Sequence, residues 1–295
     1  MAKIEALSVL IPTYNHVCLT LVQQLVSQLQ ASGISFQVIV ADDGSTDATT
    51  IESNRPIATL PCCQYLVRSE NVGRSSIRNF LVRQARYPWL LFIDSDMTVL
   101  HPEYIQRYLE DDTTPVVDGG VSIVGDPVSL RGNLRYRYEK AEEPNHTYLM
   151  RQRSPYQHLH TANLLVSRDV MRQHPFDERF RHYGYEDVLL GKTLQRSHIP
   201  IRHIDNPMGF CTFESNPDFL SKTEEGLRTL HQFQSELRGY SRLLTFVGGI
   251  HIPLILTLIR LFHRLFKKLE RQTLSGPRPS LLLFRLYRLG YFLTL

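Results

Sequence analysis

The sequence predicts an α/β fold built on a mostly parallel sheet with helices on both faces. Three observations carry that expectation. Short apolar runs alternate with helical stretches through the first hundred residues, and strands separated by helical crossovers pair in parallel through right-handed βαβ units. The runs lack the apolar–polar alternation of a sheet with one wet face, as suits strands covered on both sides. Each run also ends in a polar cluster, "PTYN", "DDGS", "SENVG" or "DSD". Ligands of such sheets bind beyond the carboxyl ends of the strands, so these four loops are the candidate site.

Along the chain, "SVLI" (8–11) opens the sheet and "CLTLVQQLVSQLQAS" (18–32) follows as an amphipathic helix stopped by Gly33. "QVIVA" (37–41) is the second strand, and Ser45 or Thr46 in "DDGSTD" can cap the helix after it. "QYLVR" (64–68) is the third strand, with the helix "GRSSIRNFLVRQA" (73–85) behind it, and "WLLFI" (89–93) is the fourth. Residues 116–126, "VVDGGVSIVGD", read as a strand with glycine turns, and 160–174 as a strand running into a helix. A helix over 186–196 and a strand over 199–204 complete the body.

The chain has 295 residues, 42% hydrophobic and 21% charged, enough for one large domain or two modest ones. Its net charge of +4 is unevenly spread. Residues 240–295 hold nine Lys/Arg against the single acid Glu270, a balance of +8, whereas residues 1–239 stand at −4. The cysteines, Cys18, Cys62, Cys63 and Cys211, show no C-x-x-C spacing, and reduced thiols in a cytoplasmic compartment are the simplest expectation. The apolar run Leu7–Ile11 turns polar at "TYNH" before a cleavage site could form, so no secretory leader is expected.

The sharpest local feature is "WLLFIDSDM" (89–97), where an apolar strand runs into Asp94 and Asp96. Ionised carboxylates are costly to bury without a partner. Such a pair can send one side chain to a divalent metal and the other to a sugar hydroxyl, and Mg²⁺ and Mn²⁺ often share one or two carboxylates with substrate phosphates. The plainer reading is that Asp94 and Ser95 cap the following segment. A second acidic loop, "ADDGSTD" (41–47), favours the first reading, because two such loops repel unless something cationic or hydrogen-bonding lies between them. Calcium of the EF-hand type is excluded, since the required ligand spacing is absent.

"SVLIPTYN", "VIVADDGSTD", "ENVGRSSIRN" and "LLFIDSDM" occur in the order and spacing of glycosyltransferase family 2, the inverting nucleotide-sugar transferases of GT-A fold, and "YGYEDVLLGKTL" (183–194) resembles that family's Glu-Asp motif. The resemblance covers roughly residues 7–230 and implies a set of roles. Tyr14 resembles the residue that packs on the nucleotide base, and Asp43 the carboxylate that accepts a hydrogen bond from a uracil nitrogen. Arg78 resembles the arginine facing base and phosphates, and Asp94 the aspartate near the donor ribose and sugar. Asp96 resembles the direct ligand of a divalent metal, Mn²⁺ or Mg²⁺. Asp187 is expected as general base and Glu186 as acceptor-binding residue. The plainer reading of that pair, acids favoured in a first helical turn, is compatible with both roles. Many family members carry a metal-binding histidine near the position of Phe210; here there is none, and His203 is expected to be a hydrogen-bonded histidine at the sheet edge. The rival expectation is a catalytically inactive homologue that binds or scaffolds glycans.

The tail raises a separate question. "IPLILTLIRLFHRLFKKLERQ" (252–272) sets Ile255, Leu258, Phe262, Leu265 and Leu269 at helical spacing, with Arg260, Arg264, Lys267 and Lys268 largely elsewhere. A basic helix with a broad apolar face suits an anionic membrane surface; the alternative is that the segment folds back onto the body. The longest uncharged stretch, Leu243–Ile259, is interrupted by Gly248, Gly249, His251 and Pro253 and is short for a span. The expected organisation is thus a catalytic domain, 1–239, and a basic amphipathic membrane-associating tail, 240–295. The expected partners are a nucleotide-sugar donor, a glycan or lipid-linked acceptor and an anionic membrane, with no nucleic acid. The expected location is the cytoplasmic face of the cell membrane, held peripherally.

Overall fold

A computed structural model describes residues 4–110, 114–250 and 253–295 of the chain. His251 therefore lies outside the described residues. In the N-terminal half, strands β1 (Ala6–Thr13), β2 (Ser35–Asp42), β3 (Cys63–Val67) and β4 (Trp89–Ile93) alternate with helices α1 (Leu19–Ser32), α2 (Ala48–Asn54) and α3 (Arg74–Gln84). Then come β5 (Met97–Val99), α4 (Tyr104–Leu109), β6 (Val116–Asp118), β7 (Val121–Ile123), α5 (Leu134–Glu142) and α6 (Tyr148–Arg153). β8 (Asn163–Ser167), α7 (Arg168–Gln173), α8 (Glu186–Arg196), β9 (Ile201–His203) and β10 (Met208–Phe210) follow. Helices α9 (Asn216–Gln232), α10 (Gln234–Leu237), α11 (Arg242–Gly249), α12 (Pro253–Ser275) and α13 (Leu281–Thr294) end the chain.

The main sheet has seven strands in the order β3-β2-β1-β4-β8-β6-β9. Its pairs are parallel except for β8, which runs antiparallel to both neighbours. The apolar strands are covered on both faces. Val9, Ile11, Val38 and Leu91 pack on one side with Leu21, Leu25 and Leu29 of α1. Leu10, Ile39, Leu90 and Phe92 pack on the other with Ile77 and Leu81 of α3. The order reverses between β1, which leads to β2, and β4 on its far side; crevices form at such switch points. The β1–β4 register brings Leu10 opposite Phe92, so two residues later the strands deliver Pro12 and Asp94 to the same edge.

The segment 116–126 differs from its reading as one strand. It divides into β6, in the main sheet, and β7, in a second sheet ordered β5-β10-β7. The division falls at Gly119–Gly120. Gly120 has φ +84°, and a side chain there would run into the Arg151 guanidinium. Only glycine lets the chain leave one sheet for the other at that point.

The C-terminal helices fold back while keeping an apolar face outward. Phe284 and Tyr287 of α13 share a cluster with Leu134, Phe219 and Leu220, and Tyr291 and Phe292 join Phe180, Leu227, Leu230 and Phe233. From α12 the inward side chains are Leu274 and the buried pair His263–Glu270, whose Nδ1 and Oε2 lie 2.6 Å apart. Leu254, Leu258, Phe262, Leu265 and Leu269 are exposed by 49–69%. No helix among the described residues is long and apolar enough to cross a membrane.

Candidate functional site

The strand-end loops meet as the sequence requires. Asn15, at the end of β1, has φ +48°, which asparagine tolerates. Its side-chain carbonyl accepts from the Thr46 and Asp47 amides at 2.9 and 3.1 Å, tying the first loop to the second. Asp42 is a support: its carboxylate accepts from the Ser45 amide and the Tyr65 hydroxyl, each at 2.7 Å. Asp43 accepts from the amides of Val72 and Gly73 at 3.2 and 3.0 Å, so the second and third loops also join. Gly44 (φ +73°) permits that approach, because a side chain would strike the Glu70 backbone. Burial raises the Asp43 carboxyl above the usual carboxylate range despite those amides.

Arg78, 2% exposed, is the hub. Its Nη2 donates to Asp94 Oδ1 at 2.8 Å and its Nη1 to Glu186 Oε1 at 3.0 Å. Arg78 lines the cleft, and its terminal nitrogens bridge two carboxylates. Burial alone would raise Asp94, yet Arg78 and Arg74 hold it below the usual range. Asp96, by contrast, makes no hydrogen bond among the described residues, and burial followed by the charge of Asp94 raises its carboxyl. The two carboxylates one residue apart are thus unlike: one is neutralised, one is open to a cation.

Glu186 and Asp187 begin α8. The residue before them, Tyr185, sits at φ +72°, a costly conformation for an aromatic residue. It turns the helix entry so that Glu186 is buried against Arg78, with Arg74 3.7 Å away. Asp187 is raised to about 7, first by burial and then by the charge of Glu186. Neither acid is among the residues lining the three cavities nearby.

Those cavities are chained. An open cleft of 660 Å³ runs past Tyr14, Asp43, Arg78, Asp94 and Asp96, with Arg181 and Lys222 on its other bank. Tyr14 is 45% exposed there. Asp94, Asp96, Arg74, Arg135 and Tyr183 also line an inner cavity of 220 Å³. Glu139 and His146, on its far wall, line a third pocket of 270 Å³ as well.

Sequence reasoning missed Arg135. Its guanidinium lies over the Phe210 ring, 4.3 Å from the centroid, and is paired with Glu214. A cation therefore stands at Phe210, the position for which the resemblance implies a metal-binding histidine. Nothing in "GNLRYRYEK" distinguishes Arg135 from the arginines around it; only the packing of α5 on β10 selects it. His203 is buried, with Nδ1 accepting from Arg151 Nε at 3.1 Å and Nε2 facing the Pro155 carbonyl at 3.0 Å. Both ring nitrogens are used, and burial lowers its basicity. No group of three or more His, Cys, Asp or Glu among the described residues could by itself hold a metal.

A doubly covered, mostly parallel sheet with an Asp-x-Asp loop at its switch point defines the GT-A class of fold. The chain belongs to glycosyl transferase family 2, whose family model matches residues 8–174, more than half of the sequence. It is 24% identical to chondroitin synthase of Escherichia coli over 245 residues, 70% of this chain and 34% of that protein. It is 30% identical to validoxylamine A glucosyltransferase of Streptomyces hygroscopicus subsp. jinggangensis over 233 residues, 68% of this chain and 54% of that one. The chain thus spans about a third to a half of the length of these relatives. Among solved structures, S. aureus TarS 1–349 in complex with UDP superposes with TM-score 0.51 at 17% identity, covering 98% of this chain and 88% of that one. The mannosyltransferase PcManGT from Pyrobaculum calidifontis, with GDP-Man and Mn²⁺, gives TM-score 0.53 at 14% identity, covering 97% and 84%.

Proposed function

We propose that the chain is an inverting glycosyltransferase that moves a sugar from a UDP-linked donor to a hydroxyl of a glycan or lipid-linked glycan. The observation that carries this reading is the convergence of Tyr14, Asp43, Asp94 and Asp96 on one cleft beyond the strand ends. Tyr14 offers an exposed ring for the base. Each Asp43 oxygen accepts one backbone amide and keeps a lone pair for a ring N–H of the base. Asp94, held by Arg78, faces the ribose and sugar. Glu186 positions the acceptor side through the same arginine. The relatives' names, chondroitin synthase and validoxylamine A glucosyltransferase, support sugar transfer.

A divalent cation fits the donor set in one way. Asp96 is open, and Mg²⁺ or Mn²⁺ is commonly held by one carboxylate together with substrate phosphates. When bound, it would supply positive charge to the departing pyrophosphate. Arg74, Arg135 and Lys222 line the same cleft and add fixed positive charge there. Asp187 takes the proton of the attacking hydroxyl, for which a carboxyl raised to about 7 is suited.

The α12 stripe, flanked by Arg260, Arg264 and Lys268, lies on an anionic membrane at the cytoplasmic face, with residues 240–295 as the membrane-associating part. Calorimetric titration of UDP-, GDP- and dTDP-sugars with and without Mn²⁺ tests the donor reading. The UDP-sugar should bind, and Asp96→Ala should lose the Mn²⁺-dependent part of that affinity. Undiminished Mn²⁺-dependent binding in Asp96→Ala would remove the metal assignment. Binding with no transfer to any acceptor would favour the inactive homologue.

A further inference from the structure

The third pocket is unlike the donor cleft. It is shared between the body and the C-terminal helices: Tyr138 and Glu142 come from α5, Tyr185 precedes α8, Arg242 and Leu243 belong to α11, and Arg288 to α13. Its only lining residues in common with the inner cavity are Glu139 and His146, and it shares none with the donor cleft, so it adjoins the inner cavity at walls the donor does not touch.

We infer that this pocket is an acceptor subsite, built to hold an uncharged pyranose ring of a glycan while the sugar before it enters the inner cavity. The inference rests on the transfer reading above and names where the acceptor lies and what chemistry it presents. Three arguments support it.

The pocket's lining carboxylates, Glu139 and Glu142, match its lining cations, Arg242 and Arg288, in number. Arg242 lies 3.7 Å from Glu142, which also accepts from Arg285 at 2.8 Å. Arg288 donates to the Tyr138 hydroxyl at 2.6 Å and lies over the same ring, 5.3 Å from its centroid. Burial lowers His146 and His158 to about 4, so both are neutral at physiological pH. The pocket thus offers no net charge to an anion such as a phosphate or a uronate.

What it does offer is aromatic rings beside hydrogen-bonding groups. The Tyr185 and Tyr240 rings can stack on the C–H faces of a sugar, and Gln157, His158 and Glu142 can meet its hydroxyls. Its 270 Å³ is small beside the 660 Å³ donor cleft and below the usual range of about 300–1,000 Å³ for drug-sized ligands, which suits a single ring.

Its position also fits. Tyr185 and Val188, on either side of Glu186–Asp187 in sequence, line this pocket, so an acceptor held here lies beside the start of α8, which carries the proposed base.

The test uses the full chain with UDP and Mn²⁺ present. Saturation-transfer NMR follows binding of neutral disaccharides (lactose, maltose and chitobiose), and calorimetry follows UDP. Gln157 is exposed and lies at the pocket mouth, so Gln157→Trp fills the pocket without disturbing the core. At least one disaccharide should bind the wild type and bind at least tenfold more weakly to Gln157→Trp, with UDP affinity changed less than twofold. His158→Ala should weaken the same disaccharide. Disaccharide binding that is undiminished in Gln157→Trp, or absent from a wild type that binds UDP, overturns the assignment. Stronger binding of glucuronate than of the neutral probes overturns the uncharged class. A wild type that binds a disaccharide, loses it in Gln157→Trp and fails to bind UDP would leave the pocket assigned and the donor reading refuted.

Discussion

At the scale of single residues, the site is organised by how buried charges are partnered. Arg78 neutralises Asp94 and Glu186 together, and removing one partner of a buried ionic group strands the others. Arg78→Met should therefore lower unfolding stability by about 3–5 kcal/mol, the usual cost of breaking a buried pair; chemical denaturation measures it, and a loss under 1 kcal/mol would refute the hub role. Asp187 makes a different prediction. Asp187→Asn should keep UDP affinity and lose transfer by about 10²–10⁴-fold, the range of general-base catalysis. Wild-type transfer should rise with pH through about 7, because the base acts when ionised. The sign for stability is opposite. A carboxyl raised in the folded state contributes stability below its ordinary range and loses it as pH rises through about 7. Thermal denaturation should show that decline in the wild type and a smaller one in Asp187→Asn. Glu139→Gln is the informative comparison, since Glu139 lines both cavities; a larger loss there than at Asp187 would reassign the base.

At the scale of elements, α12 departs from ordinary amphipathic packing. It folds back through the His263–Glu270 pair and Leu274 while presenting leucines and phenylalanines outward. Sequence periodicity admits two alternatives, fold-back or membrane face, and the helix does the first with one side while leaving the other exposed. Large exposed apolar patches mark interaction surfaces. Leu258→Ser with Leu265→Ser should reduce sedimentation with anionic vesicles several-fold, while raised salt should weaken it only in part, because the apolar contribution is unscreened. Equal binding of the double variant would exclude the stripe as the contact.

At the scale of the whole molecule, the tail is tied into the body that carries the site. Phe284 and Tyr287 close one cluster and Tyr291 and Phe292 another. Both clusters include residues of α9, the helix from which Lys222 reaches the donor cleft. Burying each such side chain contributes about 1.5–3 kcal/mol, and a folded domain is stable by only about 5–15 kcal/mol. Truncation after Gly239 should consequently give an aggregating or low-melting protein, in contrast to a self-sufficient domain 1–239. Soluble yield and thermal midpoint check this; a truncated chain melting within a few degrees of the full one would restore the simpler division.

The sequence alone determined the first four strands, their carboxyl-terminal loops and the carboxylates at them, but not the second sheet of β5, β7 and β10. Apolar runs without alternation, closed by Asp, Gly and Asn, have few other places to go than the covered strands and polar edge of a parallel sheet. It also determined that Asp43, Asp94 and Asp96 share that edge. Only the tertiary structure decided that Arg78 serves two carboxylates, that Arg135 stands over Phe210, and that α11 and α13 wall a pocket beside Glu139. Those are contacts between residues tens to more than a hundred positions apart. Local periodicity has no access to them, because the pairing partner is chosen by packing geometry rather than by spacing along the chain.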